Sequence, residues 1–294
     1  MPTLKQFSPL DFDRHGGADF PQFPRRFLAQ GDSWFTFGSF NVLSTSNLLN
    51  DMQLVVKSCA VNCATPGKVL SHMVDLRSQV NFTNLLVGAL SWNWHAILLS
   101  GGGNDLIDFI GAPPRMANGE AVPKRLRALL TKSERGTPTT AAEFVSEEGW
   151  KTFVEHIVPQ FEAVVEMRDS RDSKSQGVPI IVHTYDIITP CDVGPGLGRP
   201  AWLYPALKAY GVPELFWVDL AGLLLARYRA LVESLEQVLP NFHVTQTQGV
   251  LAPQPLGTTG PTADWQNEIH PSPAGYSKLS KVIAAKIEAV LADG

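Results

Sequence analysis

Three short stretches of the chain carry side chains suited to acyl chemistry. Gly31-Asp32-Ser33 follows the apolar run Arg26-Phe27-Leu28-Ala29. A serine lifted off the end of a strand can present its hydroxyl to a carbonyl, and glycine beside it permits a tight backbone path. Alone the tripeptide says little, because Gly, Asp and Ser are common turn residues. Gly101-Gly102-Gly103-Asn104-Asp105 follows a second apolar run, Ala96-Ile97-Leu98-Leu99. Glycines let a ligand approach the main chain, and the Asn104 amide offers two donors. A phosphate-cradling loop is the rival reading, and it fails on detail. No Gly-Lys-Ser/Thr ends the stretch, and no G-x-G-x-x-G opens a helix. Asn267-Glu268-Ile269-His270-Pro271 is the third, just ahead of the last helical stretch. A histidine at that point can take a proton from a hydroxyl across a sheet edge, although a lone histidine is more often structural.

These residues need a scaffold that brings them together. Apolar runs of strand length recur at Arg26–Ala29, Leu54–Val56, Ala96–Leu99, Pro179–Val182 and Phe242–Val244. Near-continuous runs of this kind suit a parallel sheet covered on both faces. Between them lie helical periods. Trp150, Phe153, Val154, Ile157, Val158, Phe161, Val164 and Val165 keep the i, i+3, i+4, i+7 rule, as do Tyr276, Leu279, Val282, Ile283, Ile287, Val290 and Leu291. Glu214–Leu239 also reads as helix, bounded by Pro213 and Pro240. Strands alternating with helices predict an α/β fold, a doubly wound parallel sheet of about five strands in three layers, α/β/α. In such a sheet ligands bind beyond the carboxyl ends of the strands, where all three stretches fall. The chain is read as one domain over 1–294, with a proline-rich insertion at 112–140. That insertion is a lid over a pocket or a surface embellishment, and the two readings stand about even.

Composition bounds the rest. The 294 residues include 44% hydrophobic and 18% charged residues, which argues against intrinsic disorder, and 24 Lys plus Arg against 28 Asp plus Glu leave a net charge of -4. That balance argues against a broad footprint for nucleic acid or an anionic membrane. No apolar run is long enough to span a bilayer, so no integral membrane association is expected. The N-terminus lacks the apolar core of a secretory signal. A reducing cytoplasm is the default location, and export that reads no N-terminal signal would leave the same sequence. Cys59, Cys63 and Cys191 form no disulfide framework and no zinc set, and are expected to be buried structural residues. His15, His72, His95, His156, His183 and His243 show no ligand spacing, so no metal is assigned. Asp32 and Asp105 are expected to accept loop N–H groups rather than do acid–base work. Trp92, Trp94, Trp202 and Tyr204 could line a pocket, with core packing the commoner fate.

Taken together and in order, the blocks around Ser33, Asn104 and His270 resemble those of the GDSL, or SGNH, hydrolase superfamily. The likeness runs from about Phe27 to Leu291. A fourth block, an isolated glycine after the second expected strand, is matched at Gly67, and His183-Thr184-Tyr185-Asp186 resembles a run found in related hydrolases. The resemblance implies a flavodoxin-like fold and a cofactor-free carboxylic ester hydrolase acting on a small-molecule ester of a lipid, sugar or small alcohol. It implies Ser33 as nucleophile, His270 as general base, and an oxyanion hole from the Ser33 N–H, the Gly67 N–H and the Asn104 side chain.

Two positions depart from the family pattern. Trp34 stands where leucine is common, a change of packing or pocket wall. Asn267 stands where an aspartate usually orients the histidine. An asparagine oxygen can accept the imidazole N–H but cannot offset an imidazolium with a full charge. Amide replacement of the acid in a serine protease costs about 10⁴ in turnover, through the wrong tautomer, whereas a site built around asparagine need not suffer that loss. Asn267 ranks first as the partner of His270, ahead of a Ser–His dyad helped by a backbone carbonyl, then Asp264, then Glu268. The competing reading is a non-catalytic module of the same fold that binds an acylated or sugar ligand. Joint retention of Ser33, Asn104 and His270 argues against it.

Overall fold

A computed structural model describes residues 1–14, 20–36, 46–75 and 80–292; His15 lies outside them. Six strands form one sheet: β1 (Lys5–Phe7), β2 (Arg25–Gly31), β3 (Ser58–Asn62), β4 (Ala96–Ser100), β5 (Ile180–His183) and β6 (Phe242–Thr245). The helices are α1 (Pro9–Arg14), α2 (Leu70–Val74), α3 (Val80–Leu86), α4 (Gly103–Gly111), α5 (Glu147–Asp169), α6 (Leu203–Ala209), α7 (Trp217–Glu236) and α8 (Pro273–Ala292). Strand order is β1-β3-β2-β4-β5-β6, and every neighbouring pair is parallel.

The buried strands are apolar on both faces, as a sheet covered by helices requires. Every residue of β3, β4 and β5 is buried. Connections that cross a parallel sheet in the same direction share a face. Accordingly α2 packs on α5, and α4 on both α5 and α6. α8 instead joins the segment at 46–56. Ser280 donates to the Leu48 carbonyl at 2.5 Å, and Glu288 accepts from the Val55 N–H at 2.7 Å.

Helix ends follow their sequence signals. Ser146 caps α5 by accepting from Gly149 N–H at 3.1 Å, with Glu147 and Glu148 in the first turn complementing the helix dipole. Ser272 caps α8 by accepting from Gly275 N–H at 3.1 Å, with Pro273 as its first residue.

Two expectations about strands are corrected. Leu54-Val55-Val56 is not a strand; Leu54 is buried in a loop and Val55 is 65% exposed. The strand starts at Ser58, where Cys59-Ala60-Val61 pairs on both sides, with β1 and with β2. Small Cys and Ala side chains gave that segment little β signal. β1 adds a short edge strand whose Lys5-Gln6-Phe7 pattern shows no apolar run.

The chain goes to opposite sides of β2 for β3 and β4. That topological switch point opens a crevice above the carboxyl ends of β2 and β4, where Gly31 pairs with Ser100. Ser33, Gly67 and Asn104 follow the ends of β2, β3 and β4.

Candidate active site

Ser33 occupies the corner of a tight turn. Gly31 lies so close to β4 that a Cβ there would sit 2.7 Å from the Ser100 Cβ. The Asp32 N–H continues the ladder to the Ser100 carbonyl at 3.0 Å. Asp32 Oδ1 then accepts from the Trp34 N–H at 3.0 Å, and its carbonyl from the Phe35 N–H at 3.2 Å. Asp32 and Trp34 are thereby buried while Ser33 reaches the crevice.

His270 comes from the loop ahead of α8. Its carbonyl accepts from Gln266 N–H at 2.8 Å, folding the loop back on itself. Asn267 Oδ1 accepts three times: from Ile269 N–H at 3.1 Å, His270 N–H at 2.9 Å and His270 Nδ1 at 3.0 Å. Two of those groups are backbone N–H, which can only donate, so the amide must turn its oxygen toward them. The same oxygen requires a proton on His270 Nδ1. Nε2 is then the ring's lone pair, and it stands 2.8 Å from Ser33 Oγ. Burial pushes the His270 pKa down to about 4, so the ring is neutral at physiological pH. Trp34 Nε1 donates to the Ile269 carbonyl at 3.2 Å, tying the serine turn to the histidine loop.

Donors gather opposite the histidine. Among the described residues, the N–H groups of Ser33 and Gly67 have no hydrogen-bond acceptor. Gly67 has φ +70 and no atom within 4 Å of where a Cβ would stand. Asn104 donates one amide hydrogen to the Lys68 carbonyl at 3.0 Å, which leaves the other for the cleft it lines. The cleft measures about 440 Å³ and is bordered by Ser33, Gly67, Asn104, Pro195, Trp202 and His270.

A second serine–histidine pair lies beneath the first. His183 Nε2 is 2.9 Å from Ser100 Oγ, which donates to Asp32 Oδ1 at 2.9 Å. Its polarity is the reverse of an activated nucleophile. His183 Nδ1 accepts from the Tyr185 N–H at 3.2 Å, so the ring proton sits on Nε2 and points at Ser100. That imidazole donates to the serine and cannot take its proton. Ser100 is 0% exposed and out of a substrate's reach. Burial pushes Asp32 up to about 6 and His183 down to about 3. Trp34 stacks on the His183 ring at 5.4 Å. This cluster joins the ends of β2, β4 and β5 into a floor for the turn that carries Ser33. Single-residue patterns missed it, although the run from His183 to Asp186 marked its position.

The other candidates fall elsewhere. Asp264 pairs with Lys278 at 2.7 Å and accepts from Ala252 N–H, away from His270. Glu268 is fully buried and accepts from the backbone N–H groups of Cys191, Trp202, Leu203 and Tyr204 at 2.5–3.1 Å. It thereby caps the start of α6 and fastens the cleft wall to the histidine loop, a role the sequence did not signal. Asp105 accepts from Leu70 N–H at 2.8 Å, a loop-capping role. The glycine run departs from the expectation that a ligand approaches its backbone. A Cβ at Gly102 would lie 2.4 Å from Tyr228 Oη, and one at Gly103 would lie 2.5 Å from the Tyr185 ring, so protein side chains fill that space.

Trp92 and Trp94 pack with Phe12 and Phe20, Tyr204 packs on Trp217, and Trp202 lines the cleft edge-on to His270. The segment 112–140 contributes no residue to the cleft. Its buried Arg127 instead donates to the Val122 and Leu129 carbonyls and pairs with Glu134. All three cysteines are free and buried. Among the described residues no group of three His, Cys, Asp or Glu could hold a metal, and no helix is long and apolar enough to cross a membrane.

No protein-family model and no curated protein matches the chain. Solved structures similar to it include Est24, a carbohydrate acetylesterase from Sinorhizobium meliloti, at 14% identity and TM-score 0.42, covering 90% of this chain and 99% of that one. The extracellular lipase from Streptomyces rimosus is similar at 15% identity and TM-score 0.42, covering 92% and 99%. The M. smegmatis aryl esterase is similar at 13% identity and TM-score 0.44, covering 90% and 99%. The roles considered for Ser33, His270, Asn267, Gly67 and Asn104 rest on the distances given above.

Proposed function

We propose that this chain is a serine-dependent carboxylic ester hydrolase of the GDSL/SGNH superfamily, working through an acyl-enzyme. The observation that carries the reading is the directed chain Ser33 Oγ, His270 Nε2, His270 Nδ1, Asn267 Oδ1, with unpaired N–H groups beside it. Ser33 attacks the ester carbonyl as its proton passes to His270 Nε2. The carbonyl oxygen becomes an oxyanion that takes hydrogen bonds from Ser33 N–H, Gly67 N–H and the second Asn104 amide hydrogen. The imidazolium keeps its Nδ1–H on Asn267 and passes the other proton to the departing alkoxide, leaving Ser33 acylated. Water then repeats the sequence: His270 takes its proton, the acid departs, and Ser33 Oγ is reprotonated.

A neutral imidazole is the resting state of such a cycle. Its proton affinity rises when the oxyanion forms, because negative charge then stands close by in a site partly closed to water. Besides the substrate and one water, these steps call on only side chains and backbone of this chain. Hydrolysis of a small acetyl ester by wild type, Ser33→Ala and His270→Ala tests the reading. Turnover confined to wild type supports it. Undiminished hydrolysis by a folded Ser33→Ala overturns it, and inert wild-type protein moves a binding module to the front.

A further inference from the structure

Two cavities of different character meet at Ser33. One is the open cleft of about 440 Å³ bordered by His270, Gly67 and Trp202. The other is a pocket of about 30 Å³ that shares Ser33, Asn104 and Ile269 with the cleft but borders neither His270 nor Gly67. Its lining is mostly apolar, with Leu106 and Ile107 from α4, Ile188 from beyond β5 and Leu225 from α7, and Asp32, Tyr185 and Asp186 also border it. The four aliphatic side chains are at least nine-tenths buried in the core.

The reaction assigns the two halves of an ester to these two spaces. The departing oxygen must receive the proton from His270 Nε2, so the alcohol lies on the His270 side, in the open cleft. The substituent on the carbonyl carbon points the other way, past Ser33 and Asn104. Building on the ester-hydrolase reading, we infer that the small apolar pocket receives the acyl chain and limits it to two or three carbons, making the enzyme selective for acetyl and propionyl esters. One water-sized group needs roughly 10–15 Å³, so about 30 Å³ holds one or two carbons beyond the carbonyl. A longer chain must displace Leu225 or Ile188, which are packed in the core, and overpacking of that kind is costly. The wider cleft sets no such limit on the alcohol.

Initial rates on p-nitrophenyl acetate, propionate, butyrate and hexanoate test this, because the leaving group is constant across the series. The inference expects kcat/KM highest for acetate or propionate and lower by about tenfold or more for hexanoate. Leu225→Ala deepens the pocket and should raise the hexanoate-to-acetate ratio by roughly tenfold; Ile188→Ala is the second variant, should Leu225→Ala fail to fold. A flat profile, a preference for hexanoate, or ratios unmoved in a folded variant overturns the acyl limit while Ser33-dependent hydrolysis persists. Hydrolysis that survives Ser33→Ala, or none on any ester, overturns the underlying reading as well.

Discussion

Replacing Asn267 with aspartate changes one atom of the side chain and the charge beside His270. The three donors on Oδ1, at 2.9–3.1 Å, keep their acceptor, so the loop and the ring tautomer are retained. What changes is the imidazolium, which gains a carboxylate about 3 Å away. Opposite unit charges at that range attract by about 5–6 kcal/mol at an effective dielectric of 20, and such neighbours shift a pKa by roughly 1–3 units. His270 should therefore rise from about 4 toward about 5–7.

Only the neutral ring accepts the Ser33 proton. In wild type the acid limb of kcat/KM should then lie near pH 4, and in Asn267→Asp one to three units higher. The sign is fixed: the variant loses activity first as pH falls. Asn267→Ala removes the acceptor altogether, frees the tautomer and leaves two backbone N–H groups unpaired. Its turnover should fall by about 10²–10⁴. The assay is kcat/KM on p-nitrophenyl acetate from pH 4 upward, beside an NMR titration of His270. An acid limb at the same pH in wild type and Asn267→Asp, with full turnover in Asn267→Ala, would refute the reasoning.

Other expectations follow from single contacts. Asn104→Ala should lower kcat by about 10²–10³ with KM little changed, since its free amide hydrogen acts on the oxyanion rather than the ground state; a change confined to KM would contradict this. Glu268→Gln keeps one acceptor oxygen and turns an NH₂ group toward backbone donors. It should destabilise the fold by about 1–3 kcal/mol and raise KM by loosening the cleft wall, and thermal melting with KM unaltered would sink that role. Gly102→Ala introduces a Cβ 2.4 Å from Tyr228 Oη at φ +89, so a loss of at least about 1–3 kcal/mol is expected in the denaturant midpoint, and an unchanged midpoint would disprove it.

How far the sequence could be read differs from residue to residue. The run Ala96–Leu99 and the Ile180–Val182 part of Pro179–Val182 lie in buried strands, because a parallel sheet covered on both faces leaves an uninterrupted apolar signature. Cys59-Ala60-Val61 escaped notice because Cys59 and Ala60 pack well between two neighbours yet lack the β-branched or aromatic side chains that mark a strand. The Leu54–Val56 run misled for the opposite cause, with Leu54 anchoring a loop while Val55 faces solvent. In the site, the order of Ser33, Asn104 and His270 was legible because each follows a strand or precedes a helix. The direction of the hydrogen bonds was not. It depends on which donors surround Asn267 and His183, and those come from backbone groups whose positions only the folded loops decide. The four N–H groups gathered by Glu268 are a further case, since three of them belong to the start of a helix more than sixty residues earlier in the chain.

The central claim is that Ser33, and not the buried Ser100, is the activated nucleophile. Intact mass and peptide mapping after exposure to a fluorophosphonate probe test it most directly, on wild type, Ser33→Ala and Ser100→Ala together. The geometry predicts one adduct on wild type, mapped to Ser33, absent from Ser33→Ala and still formed by folded Ser100→Ala. An adduct on Ser100, or none on folded wild-type protein, would contradict the account.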